Sequence, residues 1–180
     1  MSLKELTKEK HTAAEATPFM QAVFKKKMPE TVWADYSYNK MLWYGAIETK
    51  ARAEGLLDTL SGIERAYPLY QDAKEMLDGN FPKFRQEAID YQRYILDLPK
   101  GKVAGHLYTW HMGDLFGGQM IKKMLPPPHR NLEFKDVDGL KTAIRAVLTD
   151  DAGEEALAAF DWAIKIMNTY NNELDLANTD

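Results

Sequence analysis

The feature that most constrains the fold of this chain is an unbroken succession of helix-forming segments. Ser2 and Glu5 form a capping box, which predicts a first helix running to about Ala16. A longer helix, capped by Thr31, is expected to fray near Gly55 to Gly62. Further helices are expected at about 19–27, 68–77, 82–96, 103–125, 137–148 and 154–176. Asp150 or Asp151 is expected to cap the last of these, and no stretch alternates apolar and polar residues as a strand would. The sequence therefore predicts an all-α fold in which residues 1–180 form one helical domain.

Composition excludes several classes of protein. The chain has 180 residues, of which 45% are hydrophobic, enough to bury a sizeable core. Cysteine is absent, which excludes disulfides, thiolate metal sites and cysteine-ligated iron–sulfur clusters. The N-terminus lacks the apolar region of a signal peptide, and no apolar run approaches the roughly 18 residues of a membrane span. We therefore expect a soluble cytoplasmic protein without a membrane partner.

Charge is distributed unevenly along the chain. The net charge of −4 gives no reason to expect nucleic-acid binding. Residues 146–180 contain one lysine and eight acidic residues, whereas residues 117–145 contain six basic and three acidic residues. Solvated helix faces are the simpler explanation of such segments, and an acidic partner or ligand for the basic segment is the alternative.

The segment HMGDLFGGQM, residues 111–120, places three glycines in a predicted helix. Each helical glycine costs about 1 kcal/mol relative to alanine, so something must offset about 3 kcal/mol. Gly113 and Gly117 are four residues apart, as are Asp114 and Gly118, so together they form a flat strip that contains one carboxylate. Close packing of two helices is one explanation, but it accounts poorly for Asp114, which needs a polar partner or water. The alternative is a pocket in which a flat ligand lies against the backbone.

His11 is a second candidate site residue. Glu15 lies one helical turn later, where a carboxylate can orient an imidazole toward a metal. Neither H-E-x-x-H nor E-x-x-H occurs in the chain, which argues against zinc-protease and di-iron sites. A single histidine suits the axial position of haem iron, although a surface histidine is the simpler alternative. Haem propionates would need cations, which Lys4 and the i,i+4 pair Lys141 and Arg145 can supply.

Four stretches of the sequence resemble the haem oxygenases. HLYTWHMGDLFGGQMIKKM resembles the distal-helix signature of that family, and LKELTKEKHTAAEATPFM resembles its proximal helix. LWYGAIE and KTAIR add two further landmarks in the same order, so the resemblance extends from residue 3 to residue 145. It implies a helical bundle with haem between a proximal helix and a kinked, glycine-rich distal helix.

The resemblance also implies roles for individual residues. His11 would be the axial ligand of the haem iron, with Glu15 beside it. Asp114 would hold the water that delivers protons to bound O2, with Tyr44 in the same network. The glycines that would let the distal backbone approach the haem are Gly113, Gly117 and Gly118. The residues that fall where the family contacts the propionates, or next to such a residue, are Lys4, Tyr108, Thr109, Lys141 and Arg145.

Two positions depart from the family pattern. Trp110 stands where an arginine usually supports the distal network, and Phe116 replaces the usual serine. These departures keep a second function open, a haem carrier or sensor without turnover. A relative that uses the fold without haem, as thiaminase-like proteins do, is a further alternative, which the pairing of His11 with GDLFGGQ disfavours.

The activity implied by the resemblance is the oxidative opening of haem b. Haem would serve as substrate and cofactor and would react with O2 to give biliverdin, the IXα isomer, with release of Fe2+ and CO. The sequence has neither a nucleotide-binding glycine fingerprint nor cysteines for an iron–sulfur centre, so electrons must come from outside. The expected partners are ferredoxin or a similar acidic donor, and a downstream bilin reductase. The resemblance is to soluble cyanobacterial or viral members.

Overall fold

A long central helix organises the first half of the molecule. The computed structural model describes residues 1–179, and within them every regular element is helical. The first five helices are α1 (Leu3–Glu15), α2 (Pro18–Phe24), α3 (Glu30–Ala53), α4 (Ala66–Met76) and α5 (Gln86–Asp97). Helix α3 is 24 residues long and packs against both α4 and α5. Its side chains Trp43, Tyr44 and Ile47 are completely buried and form the middle of the core.

The glycine-containing segment is not one continuous helix. It consists of α6 (Ala104–Leu107), a π-helical turn (Tyr108–Met112), α7 (Gly113–Phe116) and α8 (Gly118–Lys122). We call residues 104–122 the glycine-rich segment. The predicted helix 103–125 is thus interrupted by a π turn before Gly113 and by a break at Gly117. Both interruptions fit the known tendency of π turns and helical glycines to bend a helix.

The remainder of the chain completes the helical bundle. The elements are a 3₁₀ turn (Arg130–Leu132), α9 (Val137–Val147), a second 3₁₀ turn (Asp150–Ala152), α10 (Gly153–Asn168) and α11 (Asn171–Asn178). The predicted helix 154–176 is therefore two helices. The prediction that Asp150 or Asp151 caps it was wrong, because α10 begins after Ala152 and has no side-chain cap. The all-α, single-domain fold class is confirmed for the described residues, and Asp180 lies outside them.

Helix α10 supports two elements that come far earlier in the chain. It packs against α1 and α6. The main-chain N–H of Leu3 donates to Asp150 Oδ1 over 3.3 Å, and Lys10 pairs with Asp161. At Gly105 a Cβ atom would lie 2.6 Å from the carbonyl oxygen of Ala152, so only glycine allows α6 to approach this closely. Of the described helices, none has the length and apolar composition needed to cross a membrane.

Candidate functional site

A cavity of about 430 Å³ lies between α1 and the glycine-rich segment. Its floor is apolar and aromatic, and the residues that form this floor include Phe19, Trp33, Tyr36, Phe160 and Met167. One wall comes from α1, which contributes His11 and Glu15, and another comes from Gly113, Asp114 and Gly117. The volume and the apolar lining with a few polar groups are typical of a small-molecule site.

His11 stands at the α1 wall of the cavity. Its imidazole packs edge-on against Phe160, with ring centroids 5.9 Å apart. Nδ1 lies 3.7 Å from a carboxylate oxygen of Glu15, one turn further along the same helix. Because 59% of the side chain is exposed and it makes no hydrogen bond to any described residue, its nitrogens are available to a ligand. Glu15 stands where it can orient the ring, as expected from their spacing.

The three glycines of the motif have different surroundings. A Cβ at Gly113 would meet no atom within 4 Å, so the backbone there borders open space in the cavity. A Cβ at Gly117 would lie 3.3 Å from the carbonyl oxygen of Gly113. Gly118 is not among the residues that line the cavity, and its Cβ would lie 2.9 Å from Leu132. Gly118 thus allows the segment to pack on Leu132.

Asp114 belongs to a buried polar cluster on the cavity wall. Tyr44 Oη donates a hydrogen bond of 2.5 Å to Oδ2, and Lys40 Nζ lies 3.3 Å from Oδ1 and 3.2 Å from Oδ2. The pKa of Tyr44 is raised well above its usual value, first by burial and then by the charge of Asp114 and their hydrogen bond. The structure thus brings Tyr44 and Asp114 together as the sequence predicted.

Lys40 was missed by sequence reasoning. It lies on α3 and lines the cavity with only 4% of its surface exposed. The available signal was a lysine inside the long aromatic stretch of α3, where its neighbours predict burial. Nothing in the local pattern indicates that the carboxylate it meets lies 74 positions later.

Trp110, one of the two departures from the family pattern, forms a hydrogen bond on the side away from Asp114. The Trp110 indole N–H donates to Tyr91 Oη over 2.8 Å, away from Asp114. That hydroxyl lies 2.7 Å from His106 Nδ1, and His106 Nε2 lies 3.0 Å from Glu155 Oε2. A neutral His106 with its proton on Nε2 satisfies both contacts. Trp110 therefore belongs to a second buried network, which connects the cavity wall with α10.

Cations surround the cavity edge. Lys4 and Lys8 line it directly, and Lys8 was not singled out from the sequence. Lys141 and Arg145 are not among the residues that line it. Instead, their charged groups lie 4.8 and 4.7 Å from the ring centroid of Phe116, which does. Phe116 thus holds two cations at the outer side of the wall.

Tyr108 and Thr109 both line the cavity, but their hydroxyls contact neighbouring helices. Tyr108 Oη lies 3.3 Å from Thr7 Oγ1 on α1, and Thr109 Oγ1 donates to the Ala156 carbonyl over 3.1 Å. Tyr108 therefore connects the two walls, whereas the Thr109 hydroxyl is used in packing on α10.

Fold and site together define an all-helical protein with a ligand cavity between a histidine-bearing helix and a glycine-rich helix. The chain belongs to the heme oxygenase family, because the model of that family, described as Heme oxygenase, matches residues 1–150. Heme oxygenase 2 of Macaca fascicularis is 26% identical over 98% of this chain and 65% of its own length. Heme oxygenase 1 of Gallus gallus is 26% identical, with 79% of this chain and 54% of that protein covered. The chain thus spans less than two thirds of the length of these relatives.

Cyanobacterial proteins match over more of their length. Heme oxygenase 1 of Synechocystis is 25% identical over 96% of this chain and 84% of that protein. The crystal structure of Synechocystis heme oxygenase-1 in complex with heme has a TM-score of 0.86 at 22% identity, covering 98% of this chain and 94% of that one. The structure of Synechocystis heme oxygenase-2 in complex with heme and NO has a TM-score of 0.84 at 20% identity, covering 97% and 86%. These structures establish the shared fold.

Proposed function

We propose that this protein binds haem b between α1 and the glycine-rich segment and opens its ring with O2 to biliverdin, Fe2+ and CO. One observation carries the proposal: His11 and the Gly113–Asp114 pair lie on different walls of the same apolar cavity. The open space beside Gly113, where any Cβ would project, fits a flat macrocycle that lies close to the backbone. Membership of the heme oxygenase family supports the same reaction class.

The α1 wall is proposed to hold the iron. His11 lines the cavity and lies 3.7 Å from Glu15, which can orient its ring, so its imidazole would coordinate the haem iron. Lys4 and Lys8 stand at the edge to receive propionates, and Tyr108 closes the gap between the walls. Lys141 and Arg145 add positive charge behind Phe116. When bound, haem supplies the redox-active iron and the ring that is oxidised.

The wall formed by the glycine-rich segment is proposed to control the reaction with O2. Gly113 leaves room for a small ligand next to the main chain. Asp114 is fixed by Tyr44 and faces the cavity, so its carboxylate can order water and pass protons to the reacting oxygen. The aromatic floor excludes other water from the site.

The product isomer, the cellular location and the protein partners are proposed from the family resemblance and from the positive charges near the cavity. We propose the IXα isomer of biliverdin as product and a cytoplasmic location. Ferredoxin or a similar acidic protein is the proposed electron donor, because Lys4 and Lys8 line the cavity and Lys141 and Arg145 lie behind Phe116. A bilin reductase is the proposed consumer of the product.

A haem carrier or sensor is the alternative, favoured by the engagement of Trp110 with Tyr91 rather than with Asp114. An absorption titration with hemin separates the two functions when it is run on wild type and His11→Ala and followed by reductant in air. We expect a Soret band that depends on His11 and decays into the biliverdin spectrum. A stable Soret band without bilin would indicate the carrier, and the absence of any haem band would contradict both functions.

A further inference from the structure

Buried Lys40 forms an ion pair with the partly buried Asp114 at the cavity wall. Side-chain exposure is 5% for Lys40 and 12% for Asp114, and both residues line the cavity. The Lys40 ammonium lies within hydrogen-bond distance of both carboxylate oxygens and makes no other hydrogen bond to a described residue. Two of its three N–H donors are thus accounted for, and the third is available to the cavity.

The surroundings of Lys40 fix the position of its charge. The ammonium lies 4.9 Å from the ring centroid of Tyr44, and Tyr36 and Trp110 are the next rings, at 5.8 and 5.9 Å. Aromatic faces favour a cation at these distances. Trp110 itself brings no charge to Asp114, since its indole N–H is directed to Tyr91. Lys40 is therefore the cation that contacts Asp114 among residues 1–179.

Stability alone does not explain why a charge pair lies on this wall. Removing two charges from water costs several kcal/mol per ion, and well-packed apolar residues of similar size often stabilise a protein as well or better. A pair of this kind at the surface of a ligand cavity is expected where the carboxylate must keep one orientation. Tyr44 holds one oxygen of Asp114, but Lys40 contacts both.

We propose that Lys40 is a positioning residue for the ring-opening reaction: it fixes the Asp114 carboxylate, and through it the proton-delivering water, at the cavity wall. This inference rests on the proposed function. It names a residue on α3, distant in sequence from the glycine-rich motif, as part of the machinery that moves protons. Lys40 acts through Asp114, and its third N–H can donate to the same water.

The first experiment tests the pair without haem. Urea unfolding of wild type, Lys40→Met, Asp114→Asn and the double variant forms a double-mutant cycle. We expect Lys40→Met to lower the ratio of folded to unfolded protein about tenfold near neutral pH, because it leaves a buried carboxylate without its cation. The double variant should recover most of this loss. Additive effects would show that Lys40 does not act through Asp114 and would overturn the proposal.

The second experiment measures the reaction. Lys40→Met should bind hemin within about twofold of wild type, because its ammonium is used on Asp114, but biliverdin formed per haem should fall about tenfold. Lys40→Arg should restore part of the yield, which a packing role would not predict. Lys50→Met is the matched control: Lys50 lies on the same helix, outside the cavity, and donates to the Leu96 and Leu98 carbonyls. It should leave the yield unchanged.

The outcomes separate the two proposals. Lys40 and Asp114 can be coupled in the unfolding cycle while Lys40→Met still forms biliverdin at the wild-type yield. This result would show that the pair is purely structural and would overturn the proposed role of Lys40. If wild type forms no biliverdin, the proposed function fails and the reaction role of Lys40 fails with it. The haem-free cycle still reports then whether Lys40 and Asp114 are coupled.

Discussion

Gly113 and Asp114 are neighbours that serve the cavity in opposite ways, one through a missing side chain and the other through a buried charge. Both were predicted from sequence, because glycines and a carboxylate inside a helix contradict ordinary helix preferences. Lys40 was not predicted, since helical spacing identifies neighbours on one helix but not the partner on another. The contact that excludes a side chain at Gly118 was not predicted for the same reason, since it is with Leu132, outside the motif.

The role of Gly113 leads to a prediction with opposite effects on stability and activity. Gly113→Ala should stabilise the protein by up to about 1 kcal/mol, because the added Cβ meets no atom and alanine favours the helix. Gly113→Leu should retain hemin binding but lower biliverdin formation at least about tenfold, because its side chain fills the space next to the backbone. Urea unfolding and bilin absorbance measure the two effects.

Gly45 provides the control for helix preference. A Cβ there also meets nothing within 4 Å, but Gly45 lies on α3 and does not line the cavity. Gly45→Ala should give a similar gain in stability with an unchanged biliverdin yield. An unchanged yield in Gly113→Leu as well would refute the steric role of Gly113.

At the scale of elements, the sequence predicted where helices occur better than where they break. Start signals such as the Ser2–Glu5 capping box were visible, and α1 begins as predicted. The π turn at Tyr108–Met112 was not, because it changes hydrogen-bond partners without a distinctive residue pattern. The break between α10 and α11 falls at Thr169 and Tyr170, where the sequence has neither proline nor glycine to mark an end.

Helix α6 depends on Gly105 for its contact with α10. An added Cβ would lie 2.6 Å from Ala152 O and from Glu155 C, which are backbone atoms that cannot move aside. Gly105→Ala should therefore lower the free energy of unfolding by about 3 kcal/mol, despite the higher helix preference of alanine. The urea midpoint, compared with that of Gly45→Ala, measures this effect. A midpoint equal to or above that of wild type would contradict the close packing.

His106 connects α5, α6 and α10. Because its imidazole is buried, we expect the free energy of unfolding to depend on pH. Burial lowers the pKa of His106 below its ordinary value of 6.5, and the nearby Glu155 opposes this shift only in part. Below about pH 6.5 the unfolded chain therefore binds more protons at this position than the folded one, so the free energy of unfolding decreases as the pH falls. In His106→Gln this part of the decrease should disappear. Parallel pH profiles of wild type and variant would contradict the assignment.

At the scale of the whole molecule, the cavity joins residues that are far apart in sequence. Its walls come from α1 and from residues more than 90 positions later, and Lys40 comes from between them. The resemblance of two distant motifs predicted this pairing, whereas helical periodicity alone could not. The aromatic floor from Phe19, Trp33 and Phe160 was not predicted, because it depends on how α2, α3 and α10 meet.

The uneven charge of the molecule predicts how electrons are delivered. The protein carries a net charge of −4, yet Lys4 and Lys8 line the cavity and Lys141 and Arg145 lie against Phe116 in its wall. Biliverdin formation driven by an acidic donor protein should slow several-fold as ionic strength rises from about 20 to about 500 mM, because salt screens this attraction. With ascorbate in place of the protein donor, the rate should change little. A rate independent of salt with both donors would contradict electrostatic docking.

The attachment of α1 to α10 and to the turn before it determines when the cavity can exist during synthesis. The bond from Leu3 to Asp150 spans 147 positions, and α1 packs mainly on α10. The helix that carries His11 therefore leaves the ribosome early but gains its support only after residue 168 has emerged. Contacts this distant carry a large loop-closure cost, which slows folding. The cavity therefore forms only after α10 has been synthesised and has packed against α1.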